Sequence, residues 1–231
     1  MIYITGDVHG SISIGKRLNT RSFPQQKSMT KNDYVIIAGD FGLVWNNDKE
    51  DLYWRKWLNK EKNFTTLFID GNHENHDLLD AYPVEEWNGG KVHKINDSII
   101  HLMRGQVFEI EGKLFFTFGG ADSHDKEHRR EGISWWSREM PSYAEYEEGL
   151  INLDRHRWMV DYVITHTCSS GTMERIGERL GLNYDLDQTH RYFAEIEEKL
   201  EYKKWFFGHF HADMEFLNNQ RLIYTDMLQL Q

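Results

Sequence analysis

The sequence predicts an α/β fold, and three observations support this prediction. Several short apolar runs of strand length end in Gly or Thr and continue at once into Asp, Asn or His. Stretches in which apolar residues recur at helical spacing separate some of these runs. Between residues 92 and 118, short strand candidates instead follow one another directly, separated by Gly, Asn or Asp. We therefore expect parallel-type strands near both ends of the chain and antiparallel strands in its middle.

The first third of the chain alternates strands with helices or loops. The predicted strands cover residues 1–5, 34–38 and 67–70. The predicted helices run from Ser11 to Arg21, from residue 48 to residue 59, and onward from Glu74. Residues 22–32, which are polar and include Pro24, are expected to form a loop. The apolar face of the helix at 48–59 should comprise Leu52, Trp54, Trp57 and Leu58.

The rest of the chain contains the antiparallel run, a long irregular segment and the closing strands. The predicted antiparallel strands cover residues 92–95, 99–102, 107–110 and 114–118. Later strands are expected at 161–165 and 205–207, with a hairpin formed by 214–217 and 222–225. A helix capped by Thr189 should span 189–200 and bury Tyr192, Phe193, Ile196 and Leu200. Residues 121–150 look irregular, and no linker or repeat divides the chain, so we predict one domain, 1–231.

Composition and charge restrict the classes of function. The 231 residues carry a net charge of −10, so the chain lacks the basic footprint of a general nucleic-acid binder. No apolar run reaches the length of a membrane span, and the N-terminus has no basic-then-apolar leader. The single cysteine, Cys168, excludes an intramolecular disulfide. We expect a cytoplasmic protein with no membrane partner, and its oligomeric state stays open.

Eight polar residues stand just after the predicted strand ends. They are Asp7, His9, Asp40, Asn72, His73, His166, His209 and His211. The carboxyl ends of neighbouring strands can face one crevice, and Gly71 should let the chain turn sharply there. Carboxylates, an amide oxygen and imidazoles form a ligand set that suits Mn, Fe, Zn or a similar divalent ion. Each block alone has an ordinary explanation as a turn or a cap, but their joint occurrence predicts a metal site.

These residues belong to recognisable motifs. The motifs are Asp7-x-His9, Gly39-Asp40, Gly71-Asn72-His73-Glu74, Thr165-His166 and Gly208-His209-x-His211. Together they resemble the five blocks of the calcineurin-like metallophosphoesterase superfamily, in a small bacterial or phage-type form. The resemblance extends from Asp7 to His211. It implies the metallo-dependent phosphatase fold, a four-layer α/β/β/α sandwich of two mixed sheets flanked by helices, and it implies hydrolysis of a phosphate ester.

Carried over motif by motif, the resemblance implies two divalent metal ions. The first would be held by Asp7, His9, Asp40 and His211. The second would be held by Asp40, Asn72, His166 and His209, so that Asp40 bridges the pair. Manganese is the favoured metal, with Fe, Zn, Ni or Co as alternatives. The implied reaction is in-line attack on phosphorus by a hydroxide that bridges the two metals.

His73 has a separate role in the resemblance, because the matching residue of the superfamily contacts the phosphate and protonates the leaving oxygen. Asp40 and His73 are therefore the expected catalytic residues. In the protein-phosphatase branch an acidic residue and Arg-Gly follow the Gly-Asp block, and the acid orients the histidine. Here the block continues Phe41-Gly42-Leu43-Val44-Trp45, so the chain does not resemble that branch. The group that orients His73 stays open, although Glu74 is nearby in sequence.

The segment 121–150 is predicted to cover the substrate, with a solvated charged loop as the alternative. Arg129 or Arg130 would bind a phosphate oxygen. We expect a small substrate, either a phosphomonoester, a phosphodiester or a nucleotide, because the acidic net charge disfavours long nucleic acid. The alternatives are a nuclease and, less favoured, a non-catalytic binding module of the same fold. Cys168 is not expected to act as a nucleophile, because the neighbouring His166 is assigned to a metal.

Overall fold

The structure, a computed structural model, describes residues 1–181 and 185–231 of the chain. Its strands are β1 (Ile2–Thr5), β2 (Tyr34–Ile37), β3 (Thr65–Phe68), β4 (Val84–Trp87), β5 (Gly90–Asn96), β6 (Ile99–Leu102), β7 (Gln106–Ile110), β8 (Lys113–Phe118), β9 (Tyr162–Thr165), β10 (Lys204–Phe207), β11 (Met214–Glu215), β12 (Gln220–Leu222) and β13 (Leu228–Leu230). Its α-helices are α1 (Ile14–Arg17), α2 (Lys49–Glu61), α3 (His76–Asp80), α4 (Tyr143–Arg155), α5 (Ser170–Leu180) and α6 (Gln188–Glu197).

The strands form two mixed sheets. The first has the order β13-β1-β2-β3-β6-β5-β4, and the second has the order β11-β12-β10-β9-β8-β7. Parallel strands form the centre of each sheet: β1, β2, β3 and β6 in the first, and β8, β9, β10 and β12 in the second. Antiparallel strands flank both centres. The predicted α/β class with two mixed sheets is therefore confirmed.

Three apolar clusters show how the sheets and helices are layered. Alternate residues of a strand point to opposite faces of its sheet. Ile36 of β2 and Ile164 of β9 therefore enter the cluster between the two sheets. Ile37 enters a second cluster with Leu58 of α2, on the outer face of the first sheet. Val163 enters a third cluster with α4, α5 and α6, on the outer face of the second. This is the four-layer α/β/β/α sandwich that the resemblance implied.

The predicted antiparallel run divides between the two sheets. Its members pair as expected in two hairpins, β5 with β6 and β7 with β8. However, β6 lies in the first sheet and β7 in the second, so residues 103–105 carry the chain from one sheet to the other. Two strands were not predicted. They are β4, which is mostly exposed and lacks an apolar pattern, and β13, which pairs with β1 at the edge of the first sheet.

The first predicted helix is shorter than expected. The segment from Ser11 to Arg21 forms only a 3-10 turn at Gly10–Ile12 and the single turn of α1. The Asn19 side chain ends it, because Asn19 Oδ1 accepts hydrogen bonds from two backbone N–H groups that follow, at 2.8 and 2.9 Å. The loop predicted at 22–32 contains a further 3-10 helix at Pro24–Ser28.

Helix α2 forms near the predicted position, and three of its four predicted apolar residues, Trp54, Trp57 and Leu58, pack against the core. Leu52, predicted to face the core, is 54 % exposed, whereas Asp51 and Arg55 are buried. The Asp51 carboxylate accepts hydrogen bonds from the backbone N–H groups of residues 45–47. Arg55 donates to the Tyr82 hydroxyl at 2.9 Å. Polar side chains are therefore buried here because they bind the loop before the helix and the segment after α3.

The second half of the chain contains more helix than the sequence predicted. The segment predicted to be irregular, 121–150, ends in α4, whose first turn has a capping box between Ser142 and Glu145. Helix α5 was not predicted. Helix α6 begins at an Asp187 cap, two residues before the predicted Thr189 cap, and its predicted apolar stripe is buried. Across the described residues, no helix has both the length and the apolar composition needed to span a bilayer.

Candidate metal centre

All eight polar residues singled out in the sequence lie just beyond carboxyl ends of central parallel strands. β1 precedes Asp7 and His9, β2 precedes Asp40, β3 precedes Asn72 and His73, β9 precedes His166, and β10 precedes His209 and His211. The first three strands belong to one sheet and the other two to the second. Because the sheets stack face to face, their carboxyl ends can share one crevice. The site is therefore built by both sheets at this edge of the sandwich.

One group of side chains offers four ligand atoms close together. Asp7, His9, Asp40 and His211 each place a nitrogen or a carboxylate oxygen within 4.8 Å of the others. The Nε2 atoms of His9 and His211 lie 2.9 Å apart, and His211 Nε2 lies 3.3 Å from Asp7 Oδ2. Both carboxylates are buried. This group can surround one cation with nitrogen and oxygen ligands.

A second group lies on the other side of Asp40. Asn72 Oδ1 is 3.1 Å from both His166 Nε2 and His209 Nδ1. His166 Nε2 is also 3.3 Å from Asp40 Oδ1. The other carboxylate oxygen of Asp40, Oδ2, lies 3.8 Å from His9 Nδ1 in the first group. Asp40 therefore contacts both groups through different oxygens.

The charges of the site favour a cation. Among the described residues, the ion-pair partners of the buried Asp7 and Asp40 carboxylates are histidines, with no Lys or Arg. Burial opposes a charge on His166, yet the Asp40 carboxylate raises the pKa of that imidazole to about 10. Burial lowers the pKa of His9 and that of His209. Two buried carboxylates, four imidazoles and an amide oxygen fit a divalent metal, which would take the place of the protons that Asp40 and Asp7 favour on His166 and His211.

Two of the proposed ligands are oriented by further contacts. His166 Nδ1 lies 3.0 Å from the carbonyl oxygen of Ala38, so a proton on Nδ1 leaves Nε2 directed at Asp40 and Asn72. Asn72 Nδ2 donates to Ser123 Oγ at 3.0 Å, and this hydroxyl donates to Glu139 Oε2 at 2.7 Å. The donation fixes the amide with its oxygen towards the histidines.

Ser123 and Glu139 were not predicted from the sequence. Both are buried, although they lie in a charged segment that looks solvent-exposed. Arg104 helps to hold this segment, because its guanidinium donates to Asp70 Oδ2 at 2.8 Å and to the backbone carbonyl of Glu139 at 3.0 Å. Asp70 lies just after β3, two residues before Asn72. The segment therefore supports Asn72, the candidate ligand that follows β3, and no local motif indicates this.

The backbone around the site has two features, glycines that leave space for carboxylates and non-glycine residues with a positive φ. A Cβ atom at Gly71 would lie 2.0 Å from Asp40 Oδ1, and one at Gly208 would lie 2.1 Å from Asp7 Oδ1. Gly71 does not have a positive φ, so the site needs glycine here for the space that it leaves and not for a left-handed backbone. Left-handed backbone occurs instead in four of the candidate ligands: His9 (φ 48°), Asp40 (46°), His209 (73°) and His211 (49°).

His73 lies at the edge of the two groups. Its backbone N–H donates to Asp40 Oδ1 at 2.8 Å, and its ring centroid is 5.1 Å from that of His9. The two Nη atoms of Arg129 lie 3.2 and 3.4 Å from the His73 ring nitrogens, and Asp125 anchors Arg129 at 2.8 Å. Burial lowers the pKa of His73, the Asp40 carboxylate opposes this, and the Arg129 charge lowers the pKa again.

Glu74 is not the group that contacts the His73 ring. Its buried carboxylate accepts hydrogen bonds from the backbone N–H groups of Phe41 and Gly42, at 2.6 and 3.2 Å. It therefore holds the loop that presents Asp40. Burial raises the pKa of Glu74 well above its usual range, and the nearby Asp40 carboxylate adds to this.

The other candidate residues, Arg129, Arg130 and Cys168, have different surroundings in the structure. Arg129 contacts His73, whereas Arg130 is exposed and its guanidinium makes no hydrogen bond or ion pair with a described residue. Cys168 is buried in the helix-side cluster of the second sheet. Burial raises the pKa of the Cys168 thiol well above its usual range, which disfavours the thiolate that a nucleophile needs.

Comparison with known protein families agrees with this geometry. The sequence model of the family described as calcineurin-like phosphoesterase matches residues 1–213, a range that includes all eight site residues. No individual curated protein is similar enough to the chain to be reported as a relative. Members of the matched family are generally phosphoesterase hydrolases, and the family implies divalent metal ions. With this match over most of its length, the chain belongs to the calcineurin-like phosphoesterase family.

Proposed function

We propose that this chain hydrolyses a small phosphate ester with two divalent metal ions, of which manganese is the favoured species. The position of Asp40 supports this proposal, because its Oδ2 faces His9 and its Oδ1 faces His166. A carboxylate with one oxygen towards each ligand group suits two metals about 3.5–4 Å apart. The first metal would be held by Asp7, His9, Asp40 and His211, and the second by Asp40, Asn72, His166 and His209.

In the proposed reaction, His73, Arg129 and the segment 121–150 would each have a separate role. When bound, the metals would supply Lewis acidity and a water whose pKa is lowered to about 7. His73 would hold the proton for the leaving oxygen, since its ring lies at the edge of the metal groups without joining either. Arg129 would bind a phosphate oxygen beside His73, and its positive charge would make the His73 imidazolium a stronger acid. The segment 121–150 would exclude water from this side.

The substrate is proposed to be a phosphomonoester, a phosphodiester or a nucleotide. The test is a panel of phosphomonoesters, aryl diesters, cyclic nucleotides, dinucleoside polyphosphates and single-stranded DNA, assayed with manganese and with metal-depleted protein as the blank. Metal-dependent turnover of a small ester would support the proposal, whereas a preference for DNA would support the alternative nuclease. No turnover with Mn, Fe, Zn, Ni or Co would contradict the proposal and favour a binding module. The cytoplasmic location stays a prediction.

Ser123→Ala is expected to weaken manganese binding beside Asn72 by about 10–100-fold. The variant removes the acceptor of the Asn72 amide, which can then rotate and turn its oxygen away from His166 and His209. Calorimetric titration of metal-free protein should therefore show one weakened position. Ser137→Ala is the matched control, because Ser137 lies in the same segment and its hydroxyl binds Glu131. Unchanged manganese affinity in Ser123→Ala would contradict this role.

Arg129→Ala and Arg130→Ala form a matched pair. Loss of a charged hydrogen bond to phosphate should raise KM about 10–100-fold in Arg129→Ala. Arg130→Ala should leave KM nearly unchanged, because the Arg130 side chain is exposed and makes no contact with the site. Steady-state kinetics with one small ester measures both values. Equal effects in the two variants would indicate a general charge effect and contradict a specific Arg129 contact.

The Arg129 variant should also change the pH dependence. The proposed proton donor is active while His73 is protonated, so the rate falls as pH rises through the pKa of His73. Burial lowers that pKa and the Arg129 charge lowers it further, so removing Arg129 should raise it. The limb of kcat/KM assigned to His73 should therefore move to higher pH. An unmoved limb in the pH profile would show that Arg129 does not influence His73.

A further inference from the structure

A cavity of about 250 Å³ opens directly beside the metal centre. The residues that line it include His9, a proposed metal ligand, and His73, the proposed proton donor. The lining also includes Gly42 and Trp45 from the segment that follows Asp40. This is the segment in which the sequence departs from the protein-phosphatase pattern. The cavity is large enough for a small organic group and adjoins the atoms that would act on a phosphate.

Two apolar side chains face this cavity, and one of them is firmly positioned. The Trp45 backbone is held at both polar groups: its N–H donates to Asp51 Oδ2 at 3.0 Å, and its carbonyl accepts from Asn75 Nδ2 at 2.7 Å. The Trp45 ring meets the Trp136 ring edge-on at 5.3 Å and stays partly exposed. Ile12, also in the lining, is 70 % exposed. A preformed apolar surface of this kind favours a flat ring.

Apart from its two histidines, His9 and His73, the titratable residues of the lining are acidic. The start of α2 contributes Asp48, Glu50 and Asp51, and no described Lys or Arg lines the cavity. Asp48 and Asp51 accept hydrogen bonds from backbone N–H groups at or before the helix start. The Glu50 carboxylate is exposed and makes no hydrogen bond or ion pair with a described residue. An anionic group near the start of α2 would therefore be repelled by the Glu50 carboxylate.

We propose that this cavity binds the leaving group of the substrate and selects an uncharged or cationic group that carries an aromatic ring. The proposal rests on the proposed phosphoesterase function and narrows its substrate class. His73 lines the cavity, so the oxygen that it protonates would lie at the cavity mouth with the organic group inside. Arg129 also contacts His73 but does not line the cavity. The phosphate and the organic group therefore occupy regions of opposite charge.

The test uses esters whose leaving alcohols are similarly weak acids, so that differences reflect binding. They are ethyl, benzyl, para-carboxybenzyl and para-(aminomethyl)benzyl phosphate, each as the monoester and as the methyl diester. With manganese-loaded protein, kcat/KM should be about 10-fold higher for the benzyl ester than for the ethyl ester. The carboxybenzyl ester should react about 3-fold less well than the benzyl ester, and the aminomethyl ester at least as well.

Single substitutions show which side chains cause the expected preference for an aromatic ring and against a negative charge. Trp45→Ala should lower the benzyl-to-ethyl ratio of kcat/KM about 10-fold, and Trp45→Phe should restore most of it. Glu50→Gln should raise the carboxybenzyl-to-benzyl ratio about 3-fold. Tyr53→Ala is the matched control, because Tyr53 is an exposed aromatic residue of α2 outside the cavity. It should leave both ratios unchanged.

A binding measurement separates this proposal from the chemistry. Benzylphosphonate should bind the manganese-loaded protein about 10-fold more tightly than ethylphosphonate, and Trp45→Ala should abolish the difference. Equal ratios in wild type and Trp45→Ala, or a preference for the carboxybenzyl ester, would overturn the inference while the phosphoesterase function stands. If the proposed phosphoesterase function itself were wrong, the result would be different, because no ester of either series would be hydrolysed with any metal.

Discussion

Replacing His73 with alanine is expected to lower kcat by about 10²–10⁴-fold while the protein keeps its metal. The His73 ring supplies no atom to either ligand group. Its connection to the ligands is a backbone N–H that donates to Asp40 Oδ1 at 2.8 Å, and alanine retains this hydrogen bond. The loss should therefore fall on proton transfer. Steady-state kinetics and the metal content per chain measure the two quantities separately.

The choice of leaving group provides an internal control for this variant. When the leaving group is a weakly basic phenolate, its oxygen needs little protonation. His73→Ala should therefore slow hydrolysis of such an aryl ester less than hydrolysis of an alkyl ester. His73→Gln keeps a polar side chain without an imidazole and should resemble His73→Ala. Loss of metal together with unfolding in His73→Ala would contradict the assigned role, because it would make His73 a structural residue or a ligand.

Replacing Asp40 with asparagine is expected to remove most of the bound metal and to lower activity by about 10³-fold or more. Asp40 is the residue that contacts both ligand groups, and its charge is buried. Asparagine preserves the shape and tolerates the left-handed backbone at this position, where φ is 46°. The fold should therefore persist while the negative charge between the metals is lost. Elemental analysis after dialysis and kcat/KM are the measurements.

Asp161→Asn is the matched control for this variant. Asp161 precedes β9, at the edge of the second sheet opposite the metal centre, and it accepts a hydrogen bond from the Leu114 backbone N–H at 2.8 Å. The control should keep wild-type metal content and activity. Full metal content in Asp40→Asn would contradict a bridging role, and loss at a single position would assign Asp40 to one metal only.

The ligand groups could be predicted from the sequence because each signal is local. An apolar strand followed by Gly and a polar residue marks a strand end, and parallel neighbours bring such ends together. The contacts of Ser123, Glu139 and Arg129 could not be predicted in this way. Their positions depend on how the irregular segment packs, which Arg104 fixes by binding both Asp70 and the Glu139 carbonyl. Such long-range contacts leave no periodic pattern.

Some errors concern signals that the sequence does contain. Ser142 and Glu145 stand at the spacing of a capping box, which indicates the start of α4, although dense charge and Pro141 make the surroundings look irregular. In α5, Gly171 and Gly177 weaken the helical signal. The sequence analysis also did not anticipate that β6 and β7 belong to different sheets. Both hairpins have the expected apolar runs, and sheet membership is decided by packing alone.

The left-handed backbone at His9, Asp40, His209 and His211 has a consequence for protein engineering. Each such residue costs about 1–3 kcal/mol relative to a relaxed backbone, and glycine would relieve that cost. A library screened only for heat resistance should therefore accumulate glycine at these four positions and lose its cation. Selection for a more heat-resistant enzyme from this scaffold should accordingly include a screen for activity at low metal concentration in every round, so that variants that have lost a proposed ligand are removed.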